Sequence, residues 1–198
     1  MKTTRLLTAL LLTLGAGASF AQTAATTVQR DVNQQTRIEQ GLRSGALNTK
    51  EAAKLEREES KVDRMQANAL KDGKLTPAEK ARLQAAQNQT SRDIAAAKHN
   101  EVTGNPQSAS SQRMQADVQR NINQEQRIEN GIKNGSVTNH EAAKLERGQA
   151  RVHRKEARAG HDGHVGAAEQ AQVQRAENHQ SRRIFKQKHD GQVRGERS

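Results

Sequence analysis

The chain carries the same module twice. From Arg30 to Arg57 against Arg120 to Arg147, at a constant offset of 90 residues, 15 of 28 positions are identical without a gap. The run Glu51-Ala52-Ala53-Lys54-Leu55-Glu56-Arg57 returns as Glu141 to Arg147. The register then holds through Val62/Val152, Arg64/Arg154, Asp72-Gly73/Asp162-Gly163, Ser91-Arg92/Ser181-Arg182 and Lys98-His99/Lys188-His189. A repeat of this length is two copies of one small unit, so both copies should share one fold.

That fold should be all-α. Ala, Glu, Gln, Lys and Arg dominate, while β-branched runs and alternating patterns are missing. The expected architecture is two tandem three-helix modules with long charged helices and short Gly-containing turns. Helices are expected over 27–42, 49–70 and 77–98, and again over 111–134, 139–160 and 167–188. Ser44-Gly45, Asp72-Gly73, Asn134-Gly135 and Asp162-Gly163 mark the breaks, each placing Gly just past a helix end. Thr76, Pro77 and Glu79 have the spacing of a capping box with Pro at the first helical position. Thr49 is expected to cap the second helix without a box, because Ala52 follows three residues later.

The apolar stripes are thin. Ala52, Leu55, Val62 and Ala69 recur on the second helix, but Glu59 and Gln66 interrupt the seam. Leu83, Ala86, Thr90, Ile94 and Ala97 form a comparable face on the third, matched by Val173, Ala176, Gln180, Ile184 and Gln187. With no Trp or Tyr and two Phe in the whole chain, each module buries a thin core. Marginal stability, mobile ends or support from pairing between modules follows from this.

The N-terminus reads as an export signal over residues 1–21, with Lys2 and Arg5 before the apolar stretch Leu6 to Leu14, and cleavage is expected after Ala21. The mature protein is expected to be periplasmic or secreted, with modules at 22–100 and 111–190, a linker at 101–110 and a basic tail at 191–198. No stretch reaches the roughly 20 apolar residues needed to cross a bilayer. The absence of Cys excludes disulfides and a lipidated cysteine. Without the signal, 31 basic residues face 22 acidic ones, a net charge of +9 spread over both halves.

This charge favours acidic partners: anionic envelope polymers, lipid headgroups, or unfolded proteins. Single-stranded nucleic acid is disfavoured, since only Phe185 offers the mature chain an aromatic ring on which a base could stack, and sequence-specific nucleic-acid binding is not expected. The candidate binding residues are the basic ones shared by both copies: Arg37/Arg127, Lys54/Lys144, Arg57/Arg147, Arg64/Arg154, Arg92/Arg182 and Lys98/Lys188.

Four turns carry Gly-x-(Leu/Val) with Glu six residues after the Gly, the spacing of an EF-hand loop. The ligands disagree: first loop positions would be Gln40, Asn68, Asn130 and Arg158, and third positions Leu42, Leu70, Ile132 and Gly160. These Glu residues read instead as helix-start residues. Histidine is the sharper signal, because six of seven fall in the second copy. His161-Asp162-Gly163-His164 is the densest cluster, and His153 lies eight residues earlier on the preceding helix. Nitrogen ligands of this kind suit zinc or copper, so His153, His161, Asp162 and His164 are the candidate metal residues. The alternative is polar surface substitution.

No enzyme and no cofactor are expected. There is no Gly-x-Ser-x-Gly elbow and no phosphate-cradling loop. The acidic pair Glu58-Glu59 is expected on exposed helix beside Lys54 and Arg57.

Arg-Ile-Glu-x-Gly-(Leu/Ile)-x-x-Gly, Glu-Ala-Ala-Lys-Leu-Glu-Arg, Asp-Gly and Ser-Arg-x-Ile-x-x-x-Lys-His together resemble exported repeat proteins of proteobacteria, a resemblance that implies an exported helical repeat. Leu75-Thr76-Pro77-Ala78-Glu79 is similar to the Leu-Thr-x-x-Gln motif of Spy/CpxP-type periplasmic stress chaperones, with Glu in place of Gln. The function these features favour is a non-enzymatic exported protein that binds acidic or unfolded envelope partners. The alternative is a metal-binding or metal-responsive one.

Overall fold

Each copy contributes a helix hairpin and a third covering helix, and the two hairpins dock on one another. A computed structural model describes residues 16–191, with side chains from residue 24 onward. Residues 1–15 of the expected signal and 192–198 of the expected tail lie outside the described residues. The helices are α1 (Ala16–Ser44), α2 (Thr49–Ala69), α3 (Pro77–Lys98), α4 (Ala109–Lys133), α5 (Asn139–Ala159) and α6 (Ala167–Lys188). The fold is all-α, as the composition requires, and no described helix is long and apolar enough to cross a membrane.

The turns work as the sequence implies, with one correction. Gly45, Gly73, Gly135 and Gly163 all have φ between 79° and 92°, a backbone region that other residues occupy at a cost. Thr76 and Glu79 form the expected capping box, with the Thr76 N–H donating to Glu79 Oε2 at 2.9 Å. Thr49 does not cap α2. Asn48 does, accepting from the Glu51 N–H at 2.9 Å while Glu51 Oε2 accepts from the Asn48 N–H at 3.0 Å. Asn is as good a cap as Thr, and one residue of shift brings Glu51 to the third helical position that a box needs.

All four turn glutamates, Glu51, Glu79, Glu141 and Glu169, accept from the backbone N–H at the start of their helix. Leu42, Leu70 and Ile132, at third loop positions, lie in the core. The EF-hand spacing therefore serves helix initiation.

α1 begins earlier than the expected 27, and its start has a function in packing. Ala24, Ala25 and Val28 are buried against Ile128 and Ile132 of α4, so α1 and α4 run antiparallel. The start of α2 meets the end of α5 in the same sense, Ala52 and Ala53 lying in one cluster with Ala159. α1, α2, α4 and α5 thus form an antiparallel four-helix bundle, with α3 and α6 packed on its outside. Gly148 admits α6: a Cβ there would stand 1.9 Å from Gln180 Oε1, whose amide nitrogen donates to the Leu145 carbonyl at 2.9 Å.

The two apolar clusters interchange under the 90-residue offset. Ala24, Val28, Ala69, Leu75 and Leu83 of one correspond to Met114, Val118, Ala159, Val165 and Val173 of the other. Ile128, Ile132, Val137 and Ile184 correspond likewise to Ile38, Leu42, Leu47 and Ile94. The bundle therefore has an approximate two-fold axis, and neither copy owns a core. The axis is marked by equivalent residues that meet: Ser60 Oγ donates to the Ala150 carbonyl at 2.8 Å, and His153 Nδ1 lies 2.8 Å from Asp63 Oδ2. Only residues near a two-fold axis can touch their own counterparts.

An isolated half, residues 22–100, should accordingly either remain unfolded or self-pair, because half of every apolar cluster is missing. Light scattering with circular dichroism checks this, and a folded monomeric half would contradict the shared-core account.

Candidate metal centre at the bundle midpoint

Between the two apolar clusters lies a polar layer carried by the four bundle helices. α1 supplies Asp31 and Gln35; α2 supplies Glu56, Glu59, Asp63 and Gln66; α4 supplies Asn121 and Glu125; α5 supplies Glu146, Gln149, His153 and Glu156. Every one of them is buried. Among the described residues no Lys or Arg is buried, so the only basic group in the layer is the His153 imidazole. Buried carboxylates ordinarily have a cation beside them, because an unpaired charge taken out of water is costly.

The layer is two-fold in position and asymmetric in chemistry. Glu56 and Glu146 are equivalent and acidic in both copies. Elsewhere an acid in one copy faces its amide isostere in the other: Asp31/Asn121, Glu125/Gln35, Glu59/Gln149, Glu156/Gln66 and, on the covering helices, Glu177/Gln87. At the axis itself the pair is Asp63/His153. The amides serve as donors that hold the acids in place. Gln35 Nε2 donates to Glu56 Oε2 at 3.1 Å, Asn121 Nδ2 to the two Glu156 oxygens at 3.0 and 2.8 Å, and Gln87 Nε2 to Asp31 Oδ1 at 2.7 Å.

Two groups of three converge in this layer. Glu56, His153 and Glu156 form the first, and Asp31, Asp63 and Glu146 the second; in each, one ligand atom per residue lies within 4.8 Å of the others. Under the 90-residue offset Glu56 and His153 of the first correspond to Glu146 and Asp63 of the second. His153 is held in the orientation a metal ligand needs. Its Nδ1 contacts Asp63 Oδ2, while Nε2 stands 3.9 Å from Glu56 Oε2 and has no protein hydrogen-bond partner. With Nδ1 occupied by Asp63, Nε2 is the ring nitrogen that faces the Glu56 and Glu156 carboxylates, and it becomes a lone-pair donor once its proton is displaced.

Proton affinities follow from this crowding. Burial, then the Asp63 charge, pushes the Asp31 carboxyl up to about 8 against the pull of Gln87. Glu59, Glu125, Glu146 and Glu156 are pushed well above the usual carboxylate range, by burial first and neighbouring carboxylates next. Burial pulls His153 down, but Asp63, Glu56 and Glu156 outweigh it and hold the imidazole well above its ordinary value. At the rim, burial raises Asp117 to about 7 and Glu177 to about 8, with Arg120 opposing both.

The candidate residues named from sequence separate into distinct places. His153 enters the layer. His161, Asp162 and His164 sit at the α5–α6 turn, where His161 Nδ1 contacts the Arg158 carbonyl at 2.7 Å, His164 Nδ1 contacts Ser110 Oγ at 3.0 Å, and Asp162 accepts from the His164 N–H at 2.9 Å. Among the described residues no three-ligand group joins them to His153. Position explains it: His153 points inward from mid-helix, whereas the others cap a turn at its end.

Of the shared basic residues, Arg37 and Arg127 clamp the covering helices through the Ser91 and Ser181 carbonyls. Lys98 and Lys188 are half-buried. Lys54, Lys144, Arg57, Arg147, Arg64, Arg154, Arg92 and Arg182 are exposed.

Glu59 departs from the expected exposed pair. Glu58 is the partly exposed member and bonds Lys61 at 2.8 Å; Glu59 is fully buried with both oxygens lacking a protein partner. The signal was the interrupted seam, since Glu59 and Gln66 occupy core positions on α2. No family model, curated protein or solved structure matches the chain.

The metal-free protein should lose stability as pH rises. Asp31, Asp117 and Glu177 hold protons more tightly folded than unfolded, where carboxyls titrate near 4. Their stabilising protonation is complete below about pH 4 and is lost as pH climbs to about 8. Chelated protein should therefore melt higher at pH 5.5 than at pH 8, and Glu177→Gln should narrow the gap. A melting temperature that is flat or rises over this range contradicts the assignment.

Proposed function

We propose that this chain is an exported metal-binding protein that holds a divalent transition-metal ion at Glu56, His153 and Glu156, in the middle of the four-helix bundle. The observation that carries the reading is the His153 side chain: fully buried, fixed by Asp63 through Nδ1, with Nε2 unpartnered and facing two carboxylates. Metal-bound histidines characteristically donate their second ring N–H to a carboxylate, which sets the tautomer and strengthens the ligand. One imidazole with two carboxylates suits zinc, ferrous or manganous ions, and ligands drawn from facing helices are the usual way bundle cores hold them.

Two carboxylates with a dication are also electrically neutral, which removes much of the charge that burial otherwise forces the layer to neutralise with protons. All three ligands are enclosed, so exchange requires the helices to part. That favours retention or buffering over turnover. Export rests on Lys2, Arg5 and the apolar stretch that follows them.

Micromolar zinc should raise the melting temperature of the mature protein and release protons as it binds, measured by calorimetry in buffers of different ionisation enthalpy. Glu156→Gln, which installs the amide already present at Gln66, should weaken zinc by at least tenfold. The same change should raise the melting temperature of the metal-free protein at pH 8, since it removes an acid that burial penalises when ionised. Unchanged zinc affinity in this variant would overturn the proposal.

One surface feature supports a second reading, attraction to acidic envelope partners. Arg183 is held below its ordinary value by burial and then by Arg151 and Arg147, a cluster where the first copy has Asp93, Lys61 and Arg57. Binding to vesicles rich in anionic lipid should then weaken sharply between 0.05 and 0.5 M salt, on the order of a threefold change in Debye length. Salt-independent binding would count against it.

A further inference from the structure

The geometry points to a second, all-oxygen cation site at Asp31, Asp63 and Glu146, coupled to the first through the Asp63–His153 pair and selective for a harder ion. This inference rests on the proposed metal site at His153 and extends it to a two-ion centre. Three observations support it.

The first is symmetry. Glu146 and Asp63 occupy the positions of Glu56 and His153, so the polar layer offers a second converging group across the axis, completed by Asp31 where the first has Glu156. The second is an unpartnered buried acid aimed into that place. Glu146 is 0% exposed, neither of its carboxylate oxygens has a protein hydrogen-bond partner, and one of them lies within 4.8 Å of ligand oxygens on Asp31 and Asp63. Asp63 shares the feature: Oδ2 contacts His153, while Oδ1 is unpartnered.

The third is the distribution of charge. Around Glu56 and Glu156 the neighbouring positions are amides, Gln35 and Asn121, which donate to the carboxylates. On the Asp31 side the position equivalent to Gln35 is Glu125, another buried acid, raised by burial and then by the charges of Asp63 and Asp31. The second site therefore lacks a nitrogen ligand and has excess negative charge. Oxygen-only sets favour manganous, magnesium or calcium ions over softer metals, whereas the imidazole favours zinc at the first site. One aspartate then serves both places, its Oδ2 orienting the imidazole and its Oδ1 open to the second ion, so occupancy of one site bears on the other.

The test uses the mature protein, first saturated with one equivalent of zinc and then titrated with manganous ion. Free manganous ion is followed by electron paramagnetic resonance, and total loading by native mass spectrometry. The expected result is one zinc and one manganese per chain. Asp31→Asn, which copies Asn121, and Glu146→Gln should each weaken manganese at least tenfold while leaving one zinc bound, and the retained zinc shows that the variants still fold. Zinc bound with no stoichiometric manganese, or manganese unaffected by either variant, overturns the second site and leaves the first standing. Absence of zinc from the wild-type protein overturns the first site as well.

Discussion

At the centre of the bundle, the carboxyl groups of Asp31, Glu56, Glu59, Asp63, Glu125, Glu146 and Glu156 share a single imidazole and, among the described residues, no buried lysine or arginine. A layer of this kind cannot carry its full charge away from water, so it must bind protons, bind cations, or hold the helices apart. The apolar clusters on either side press the helices together. Amide donors on Gln35, Gln87 and Asn121 fix individual carboxylates, but they satisfy oxygens without cancelling charge.

The two-fold arrangement explains why the layer sits where it does. Each copy brings apolar residues to the two ends of its hairpin and polar residues to the middle, and antiparallel docking superimposes middle on middle. Divergence between the copies then acts at one place. Exchanging an acid for its amide changes charge with almost no change in shape, and exchanging aspartate for the larger histidine at the axis changes the ligand type. The duplication thereby converts what would be two identical half-sites in a self-paired module into two unlike ones within a single chain. The Asp63/His153 pair bonds across the two hairpins, whereas Asp31 and Asn121 bond within their own copies, to Gln87 and Glu156.

Helix order, turn glycines and the Thr76 cap were legible in the sequence because they depend on local spacing. Docking between copies was only suggested by the thin stripes, since apolar periodicity shows which face is buried but not what covers it. The buried polar layer was legible in one residue, His153, and obscured in the rest. Glu59 and Gln66 read as interruptions of an apolar seam when they are themselves the inward face, and Glu56 and Glu146 were hidden in a repeated motif that also specifies helix. Acids from different copies, such as Glu56 and Glu156 or Asp63 and Glu146, come together only because the two hairpins dock across the two-fold axis. The dense His161–His164 cluster stands out because its residues are adjacent in sequence, yet at a turn its two imidazoles bond to the Arg158 carbonyl and Ser110 Oγ, while Asp162 accepts from the His164 backbone.

The most direct measurement is anomalous diffraction from crystals of the mature protein grown with zinc. The account predicts a zinc peak at the bundle centre about 2.0–2.2 Å from His153 Nε2 and from carboxylate oxygens of Glu56 and Glu156. Peaks confined to surface histidines such as His161 and His164, with the central carboxyls hydrogen-bonded to one another, would contradict it.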